Sequence, residues 1–406
     1  MNALLLTAVL SAAPGEYFVR GERVYTMDGA PIENGFVHVR GGKIIDVGVN
    51  LALPSGARVV RAKVVMPPLF AAPSTIGLQG VRGNDSVEST AAVTPGIDVI
   101  AAIDPFHRAF VNVRAEGVGF ALVLPAFSNV LGGSGGVIRT VGTIVGQMVV
   151  ERRAGFALGF GEVPKAQHAK NGVSSRMGAV AALRGALTAA LDHREREAHT
   201  ARETALKPDP APAPLPKNLD HEALRPLLAR DVPAFVRAQR RDDILTALRL
   251  ADEFNIRVVI VGGAEAPKVA SLLAAKKIGV LYGPLRSVFR TPELTAVSET
   301  GPAALARAGV TVGLAPDEGP LYQTSGSRDL LIDAALAVRG GLPVDLALAA
   351  ITRVPAELAG VGDRVGRIKS GRSADLLLLD GPPFATATRA QSLILNGVVV
   401  SGKKSR

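Results

Sequence analysis

Apolar and polar positions alternate near both ends of the chain, and glycine pairs interrupt the alternation. A period of two residues that is broken by turn residues predicts short β-strands and hairpins. The runs are residues 17–20, 35–40, 43–48, 374–381 and 392–400. Because the ends of compact proteins commonly lie close together, we predict one composite β-sandwich built from residues 14–70 and 366–406.

The middle of the chain, residues 71–365, alternates apolar runs with helical patterns. Residues 119–124 and 257–263 have the composition of buried strands, and residues 243–251 have helical spacing of their apolar positions. Such alternation predicts βα units around a parallel sheet, and the length fits a barrel of about 250 residues with a second module. The proline-rich stretch 207–218 cannot continue a helix and predicts a stiff surface excursion.

Composition narrows the classes of function. Hydrophobic residues make up 48% of the 406 residues, which supplies ample core material, and aromatic residues make up only 4%. The net charge of +10 would suit an acidic partner. The arginines are scattered, however, and no nucleic-acid motif accompanies them, so we do not expect nucleic-acid binding. The absence of cysteine excludes disulfides, thiolate zinc sites and cysteine nucleophiles.

The N-terminal residues 1–13 are apolar and end in small residues, as a secretory signal does. They lack the usual positive charges and fall short of the ~20 residues that span a bilayer. We therefore predict a cleaved signal of a periplasmic or secreted bacterial protein, with a buried N-terminal element of a cytoplasmic protein as the alternative. No other segment is long and apolar enough to predict a transmembrane helix.

Two groups of residues that often carry chemistry show no catalytic spacing. The six histidines form neither an HxH nor an HExxH pattern, and His193 and His199 fall in a charged run that predicts a solvated helix face. His107 and His168 are the two that we expect near the catalytic face. The glycine-rich stretch 132–136 opens no helix with Lys-Ser/Thr, so it predicts loop geometry rather than a phosphate site.

Several strings resemble conserved segments of the amidohydrolase superfamily, specifically its imidazolonepropionase-like branch. The strings are VVMPPLFAAPSTIGL (64–78), SNVLGGSG (128–135), SRDLL (327–331), ITRVPA (351–356) and GRIKSGRSADL (366–376). The last is the most specific, and the resemblance runs from about residue 17 to residue 400. It implies an α/β fold, a (β/α)₈ TIM-like barrel with a composite β-sandwich. It also implies descent from hydrolases of non-peptide C–N bonds that use zinc or another divalent metal.

The same resemblance shows which residues replace the metal ligands. The family's V-x-M-P-G-L-I-D-A-H-x-H-x-G-L segment carries two histidines, and others follow the fifth and sixth strands. Those histidine positions are occupied here by Pro73, Thr75, Arg237, Gln239 and Gly262. Proline offers no donor atom, threonine is a poor zinc ligand, and zinc prefers imidazole, thiolate and carboxylate.

Two carboxylates of the family's site are retained. Glu162 matches the carboxylate after the fourth strand and Asp317 matches the aspartate after the eighth, so both are candidate catalytic remnants. Arg237 would place a fixed positive charge where the metal charge was, because a guanidinium cannot be deprotonated. We hypothesise that Arg237 pairs with Glu162 or Asp317, and we expect no metal or other cofactor. Alternatively, Glu162 is an ordinary loop carboxylate, and Asp317 caps a helix or pairs with Arg328.

These observations favour a catalytically degenerate member of the family. Such a protein would bind a small ligand through Arg237 and Gln239, or would form a hetero-oligomer with an active amidohydrolase paralogue. One alternative is an active hydrolase of cyclic amides or related C–N bonds, with weak or no metal and Glu162 or Asp317 as the general base. The other is a purely structural subunit.

Overall fold

The structure is a computed structural model that describes residues 15–80, 83–206, 213, 215–286, 291–317 and 329–402. The predicted signal, residues 1–13, lies outside the described residues, as does most of the proline-rich stretch 207–218. Within the described ranges, no helix combines the length and the apolar character needed to cross a membrane.

The described chain contains eighteen strands and eleven α-helices, with 3₁₀ turns at Val99–Ala102, Ala266–Val269 and Pro292–Leu294. The strands are β1 (Tyr17–Val24), β2 (Ile32–Glu33), β3 (Phe36–Arg40), β4 (Lys43–Gly48), β5 (Val59–Met66), β6 (Leu69–Ser74), β7 (Gln79–Gly80), β8 (Gly83–Asn84), β9 (Val118–Val123), β10 (Leu131–Arg139), β11 (Val149–Gly159), β12 (Ala234–Ala238), β13 (Val258–Gly262), β14 (Gly279–Tyr282), β15 (Val312–Leu314), β16 (Leu376–Leu379), β17 (Ala390–Leu395) and β18 (Val398–Gly402). The helices are α1 (Arg108–Ala115), α2 (Val145–Met148), α3 (Glu162–His168), α4 (Arg176–Leu206), α5 (Leu219–Leu228), α6 (Arg241–Glu253), α7 (Ala270–Ala275), α8 (Gly301–Arg307), α9 (Leu330–Arg339), α10 (Val344–Ala350) and α11 (Arg353–Leu358).

Strands from both ends of the chain form one eight-stranded sheet. Its order is β18-β17-β16-β5-β1-β3-β4, with β2 paired to β1. The sheet is curled, so that its edge strand β4 reaches the segment before β16. There the backbone of Ile44 hydrogen-bonds to the backbone of Gly371 and Arg372. Ile44 also shares an apolar core with Leu376 and Ile394. The β-structure predicted from the two termini is therefore present as a single curled sheet.

The second eight-stranded sheet is a nearly closed barrel in the order β6-β9-β10-β11-β12-β13-β14-β15. Its pairs are parallel from β11 to β15 and between β6 and β9. The predicted TIM-like α/β barrel is thus confirmed. One strand departs from the pattern, since β10 runs antiparallel to both of its neighbours.

The glycine-rich stretch 132–136 forms part of β10, so the prediction of a loop was wrong. A Cβ atom on Gly135 would collide with the carbonyl oxygen of Val123 in β9, and one on Gly136 would collide with that of Glu151 in β11. Only glycine lets the three backbones approach this closely. Glycine has low strand propensity and no side-chain alternation, which is why the sequence did not predict this strand.

The predicted helix at residues 243–251 is confirmed as α6, whose buried face includes Ile244, Ala247 and Leu248. The charged run before the proline-rich stretch is also helical and belongs to α4. The expectation that His193 is solvated was wrong, because only 7% of His193 is exposed. It is covered at the contact between α4 and α5, where its ring lies 5.1 Å from the ring of His221.

A candidate ligand site at the barrel mouth

The carboxyl ends of the barrel strands surround a cavity of about 50 Å³, which is room for a few water molecules. Residues of a barrel's strand ends and following loops commonly form the active site. The cavity brings together six of the seven positions predicted from the sequence, namely Pro73, Thr75, Arg237, Gln239, Gly262 and Asp317. Glu162 does not line it.

Arg237 lies one residue before the end of β12 and lines the cavity. Burial lowers the pKa of its guanidinium, whereas the negative charges of Asp317 and Glu293 act to raise it. The charge of Asp317 thus acts on Arg237, but the described residues show no hydrogen bond or ion pair between the two side chains, so this pairing of Arg237 stays a hypothesis. Its other suggested partner, Glu162, is engaged elsewhere.

Asp317 follows β15 by three residues, and its Oδ2 atom is buried. No described group donates a hydrogen bond to this oxygen. Arg328, which the sequence offered as a partner, lies outside the described residues. A buried carboxylate oxygen without a partner is uncommon in folded proteins, so Asp317 is a candidate for contact with a ligand or a water molecule.

The side chain of Gln239 packs closely against the backbone of Gly262. The Oε1 atom of Gln239 accepts a hydrogen bond of 3.1 Å from the backbone N–H of Ala264. A Cβ atom on Gly262 would collide with the amide group of Gln239, and Gly262 has a φ of +88°, which disfavours any side chain. The Nε2 atom of Gln239 is buried and donates to no described acceptor. The amide therefore occupies space that a histidine at position 262 would need.

Glu162 begins α3, and 49% of its side chain is exposed. Its carboxylate accepts hydrogen bonds of 2.7 Å from Lys165 and 2.9 Å from Arg176. The bond from Lys165 is the main cause that lowers the pKa of Glu162, which makes it a weaker base. The structure thus does not bring Glu162 together with Asp317 in the cavity.

Arg176 joins three carboxylates close to the mouth, and the sequence did not predict this cluster. Besides Glu162, its guanidinium donates to Asp243 at 2.9 Å and to Glu293 at 2.7 Å. Burial raises the pKa of Asp243 and of Glu293, since 6% and 9% of their side chains are exposed. Asp243 lies within the string RAQRRDDI, which was a usable signal, whereas nothing near Arg176 or Glu293 indicated their contact.

A second buried acid was also missed. Asp333 in α9 accepts a hydrogen bond of 2.9 Å from Arg286, which also lies 3.3 Å from Asp329. Burial raises the pKa of Asp333 to about 6 although Arg286 acts to lower it, and the charges of Asp329 and Asp317 contribute less to the increase.

The described lining does not suit a zinc-type metal. It contains no imidazole, Asp317 is its one carboxylate, and Arg237 contributes a positive charge. A catalytic zinc normally takes three protein ligands, commonly including imidazole. Neither of the two histidines expected near this face lines the cavity, because His107 caps α1 and His168 is buried with its Nε2 atom 2.8 Å from Asn129 Oδ1.

Comparisons with known proteins agree with the architecture. The model of the amidohydrolase family matches residues 232–404. Amidohydrolase tasK from Hapsidospora irregularis is 23% identical over 338 residues, which cover 79% of this chain and 34% of that protein. The chain thus spans about a third of the length of this curated relative.

Solved structures extend the likeness over nearly the whole chain. An amidohydrolase from Thermotoga maritima MSB8 is 30% identical, with a TM-score of 0.88 over 95% of this chain and 100% of the other. Molinate hydrolase is 15% identical, with a TM-score of 0.57 over 96% of this chain and 95% of the other, and shares the fold alone. The 30% identity over the full length of the Thermotoga protein is the decisive comparison. The chain belongs to the amidohydrolase family.

Proposed function

We propose that this chain is a catalytically degenerate amidohydrolase-family protein, by descent a hydrolase of C–N bonds, whose barrel mouth binds a small polar ligand. The proposal rests on two buried atoms without a hydrogen-bond partner among the described residues, Asp317 Oδ2 and Gln239 Nε2. Both belong to residues that line one cavity. Arg237 adds a guanidinium to the same cavity. A ligand that completes these groups would recover the cost of burying them unpaired, roughly 1–3 kcal/mol each.

The chemistry of the lining indicates the class of ligand. Gln239 Nε2 and Arg237 are donors, so they call for a carbonyl or carboxylate oxygen. Asp317 is an acceptor when ionised and calls for an N–H or ammonium group. A small molecule with both groups on neighbouring atoms, such as an amino acid or a cyclic amide, meets these requirements.

The test is to measure the binding of a panel of free amino acids and small lactams to the full chain. Titration calorimetry gives the affinities, and the shift in thermal unfolding gives an independent measure of binding. We expect one class to bind, and we expect Arg237→Met and Asp317→Asn each to weaken it at least about tenfold, since charged hydrogen bonds contribute about 1.5–3 kcal/mol. Arg364→Met is the matched control, because Arg364 pairs with Glu151 and lies outside the cavity. Equal binding by the wild-type protein and both mouth variants would refute the proposal.

The active-hydrolase alternative predicts a different result with the same lactams. Ring opening by the wild-type protein, lost in Asp317→Asn and retained in Glu162→Gln, would assign the general base to Asp317 and contradict degeneracy. A partner role predicts that an active paralogue copurifies with the chain. Loss of that association on a surface substitution, with Arg237→Met and Asp317→Asn still associated, would favour the structural subunit.

A further inference from the structure

A second cluster of metal-ligating side chains lies where α4 contacts α5, and none of its members lines the mouth cavity. His193 and Glu197 are one helical turn apart on α4, so both side chains project from the same face. Glu222 projects from α5. One ligand atom from each of the three lies within 4.8 Å of the others.

His193 has an unfilled ring nitrogen. With 7% of the residue exposed, its Nε2 atom is buried and has no hydrogen-bond partner among the described residues. The nearest carboxylate oxygen, Oε1 of Glu197, is 3.4 Å away, longer than a normal hydrogen bond. The Nδ1 atom of the neighbouring His221 is buried without a described partner as well. Two unsatisfied imidazole nitrogens at one helix contact are unusual for purely structural histidines.

The two carboxylates of the cluster already hold a cation. Arg225, an exposed residue of α5, donates to Oε1 of Glu222 at 2.8 Å and to Oε2 of Glu197. This guanidinium balances the negative charge but leaves the nitrogen of His193 unused. A divalent ion would satisfy all three groups, while the long Arg225 side chain would turn into solvent.

We propose that His193, Glu197 and Glu222 form a zinc-binding site that fastens α4 to α5, with Arg225 as the competing cation in the metal-free protein. The proposal goes beyond the mouth site and is independent of it. An imidazole with carboxylates suits Zn²⁺, whereas Mg²⁺ and Ca²⁺ prefer oxygen ligands alone. Residues 207–218 connect the two helices in sequence, so the ion would join positions that precede and follow this segment.

The experiment is a titration of the tag-free, chelator-treated full chain with Zn²⁺ alone. Calorimetry measures the binding, and thermal unfolding measures its effect on stability. We expect one equivalent to bind and to raise the melting temperature. His193→Ala and Glu222→Gln should weaken binding at least tenfold. His199→Ala is the matched control, because His199 faces Glu203 at the same spacing on the same helix, yet 68% of its side chain is exposed.

Arg225→Gln removes the competing cation but no ligand, so it should strengthen Zn²⁺ binding severalfold. A gain of Zn²⁺ affinity in Arg225→Gln cannot arise from misfolding. The test therefore remains decisive even if His193→Ala is unstable. Zn²⁺ bound in the mouth would be lost in Asp317→Asn and kept in His193→Ala, and that pattern would overturn this proposal. So would the absence of Zn²⁺ binding by the wild-type chain, or no gain in Arg225→Gln.

Discussion

Substitution of Asp333 by asparagine should make the protein more stable at neutral pH. Only 4% of the Asp333 side chain is exposed, and burial raises its pKa from 3.8 to about 6 despite the bond from Arg286. Between pH 3.8 and pH 6, Asp333 is therefore protonated in the folded state and ionised in the unfolded state. Stability from this group is fully present below pH 3.8 and is lost as the pH rises through 6.

The magnitude follows from the two pKa values. At roughly 1.36 kcal/mol per pKa unit, ionised Asp333 lowers the free energy of unfolding at pH 7.5 by about 3 kcal/mol, of which about 1.4 kcal/mol develops above pH 5. Asparagine keeps an oxygen that accepts from Arg286 but carries no charge. Asp333→Asn should therefore gain up to about 3 kcal/mol over the wild-type protein at pH 7.5 and less at pH 5.

Urea unfolding followed by circular dichroism at pH 5, 6, 7 and 7.5 measures this difference. Asp345→Asn is the control, because Asp345 is an exposed aspartate of the following helix, α10, and its removal relieves no buried charge. If the curves of free energy against pH for the wild-type protein and Asp333→Asn run parallel, the reasoning is wrong.

Two further predictions concern residues around the mouth. Gly262→Ala should cost about 1–3 kcal/mol of unfolding free energy, because the new methyl group meets the Gln239 amide at a φ of +88°. In a double-mutant cycle with Gln239→Ala the cost should shrink, and additive costs in urea melts would contradict the steric link. Arg176→Gln should cost about 3 kcal/mol at pH 7.5, since Asp243 and Glu293 lose their cation. Its deficit should shrink toward pH 5 as these acids take up protons, and a deficit that is independent of pH would show that the cation contributes little.

The fold could be predicted because its signals are local. Buried parallel strands such as residues 119–124 and 257–263 are short apolar runs, and the sequence identified both near the bounds of β9 and β13. Strand β10 carries no such signal. Its glycines are required by the backbones of β9 and β11, which approach β10 closely from both sides in the folded barrel. A tertiary constraint of this kind leaves no periodicity in the sequence.

The sequence predicted those residues of the site whose positions are fixed by the ends of the barrel strands. Arg237, Gly262 and Asp317 lie near or after the ends of the barrel strands β12, β13 and β15, so their meeting follows from the fold. Glu162 also follows a barrel strand, but Lys165 and Arg176 hold its carboxylate outside the cavity. The contact of Arg176 with Glu293 joins residues 117 positions apart through long side chains, and neither spacing nor hydropathy records such a contact.

At the barrel mouth, the positive charge of Arg237 offsets acidic side chains, as a metal ion does in a metal hydrolase. In a metal hydrolase, acidic residues at the strand ends are tolerated because a divalent ion offsets their charge and desolvation. Here the charges of Asp317, after β15, and of Glu293, in a 3₁₀ turn, act on the guanidinium of Arg237. Removing Arg237 would take away the cation on which Asp317 acts, whereas Glu293 would keep Arg176. Adding a metal would bring two positive centres together. The contact between Gln239 and Gly262 opposes histidine at position 262 as long as Gln239 is present. If the proposed function is right, a zinc-type centre at this mouth would require several substitutions at once, and ligand binding is the role that these groups suit.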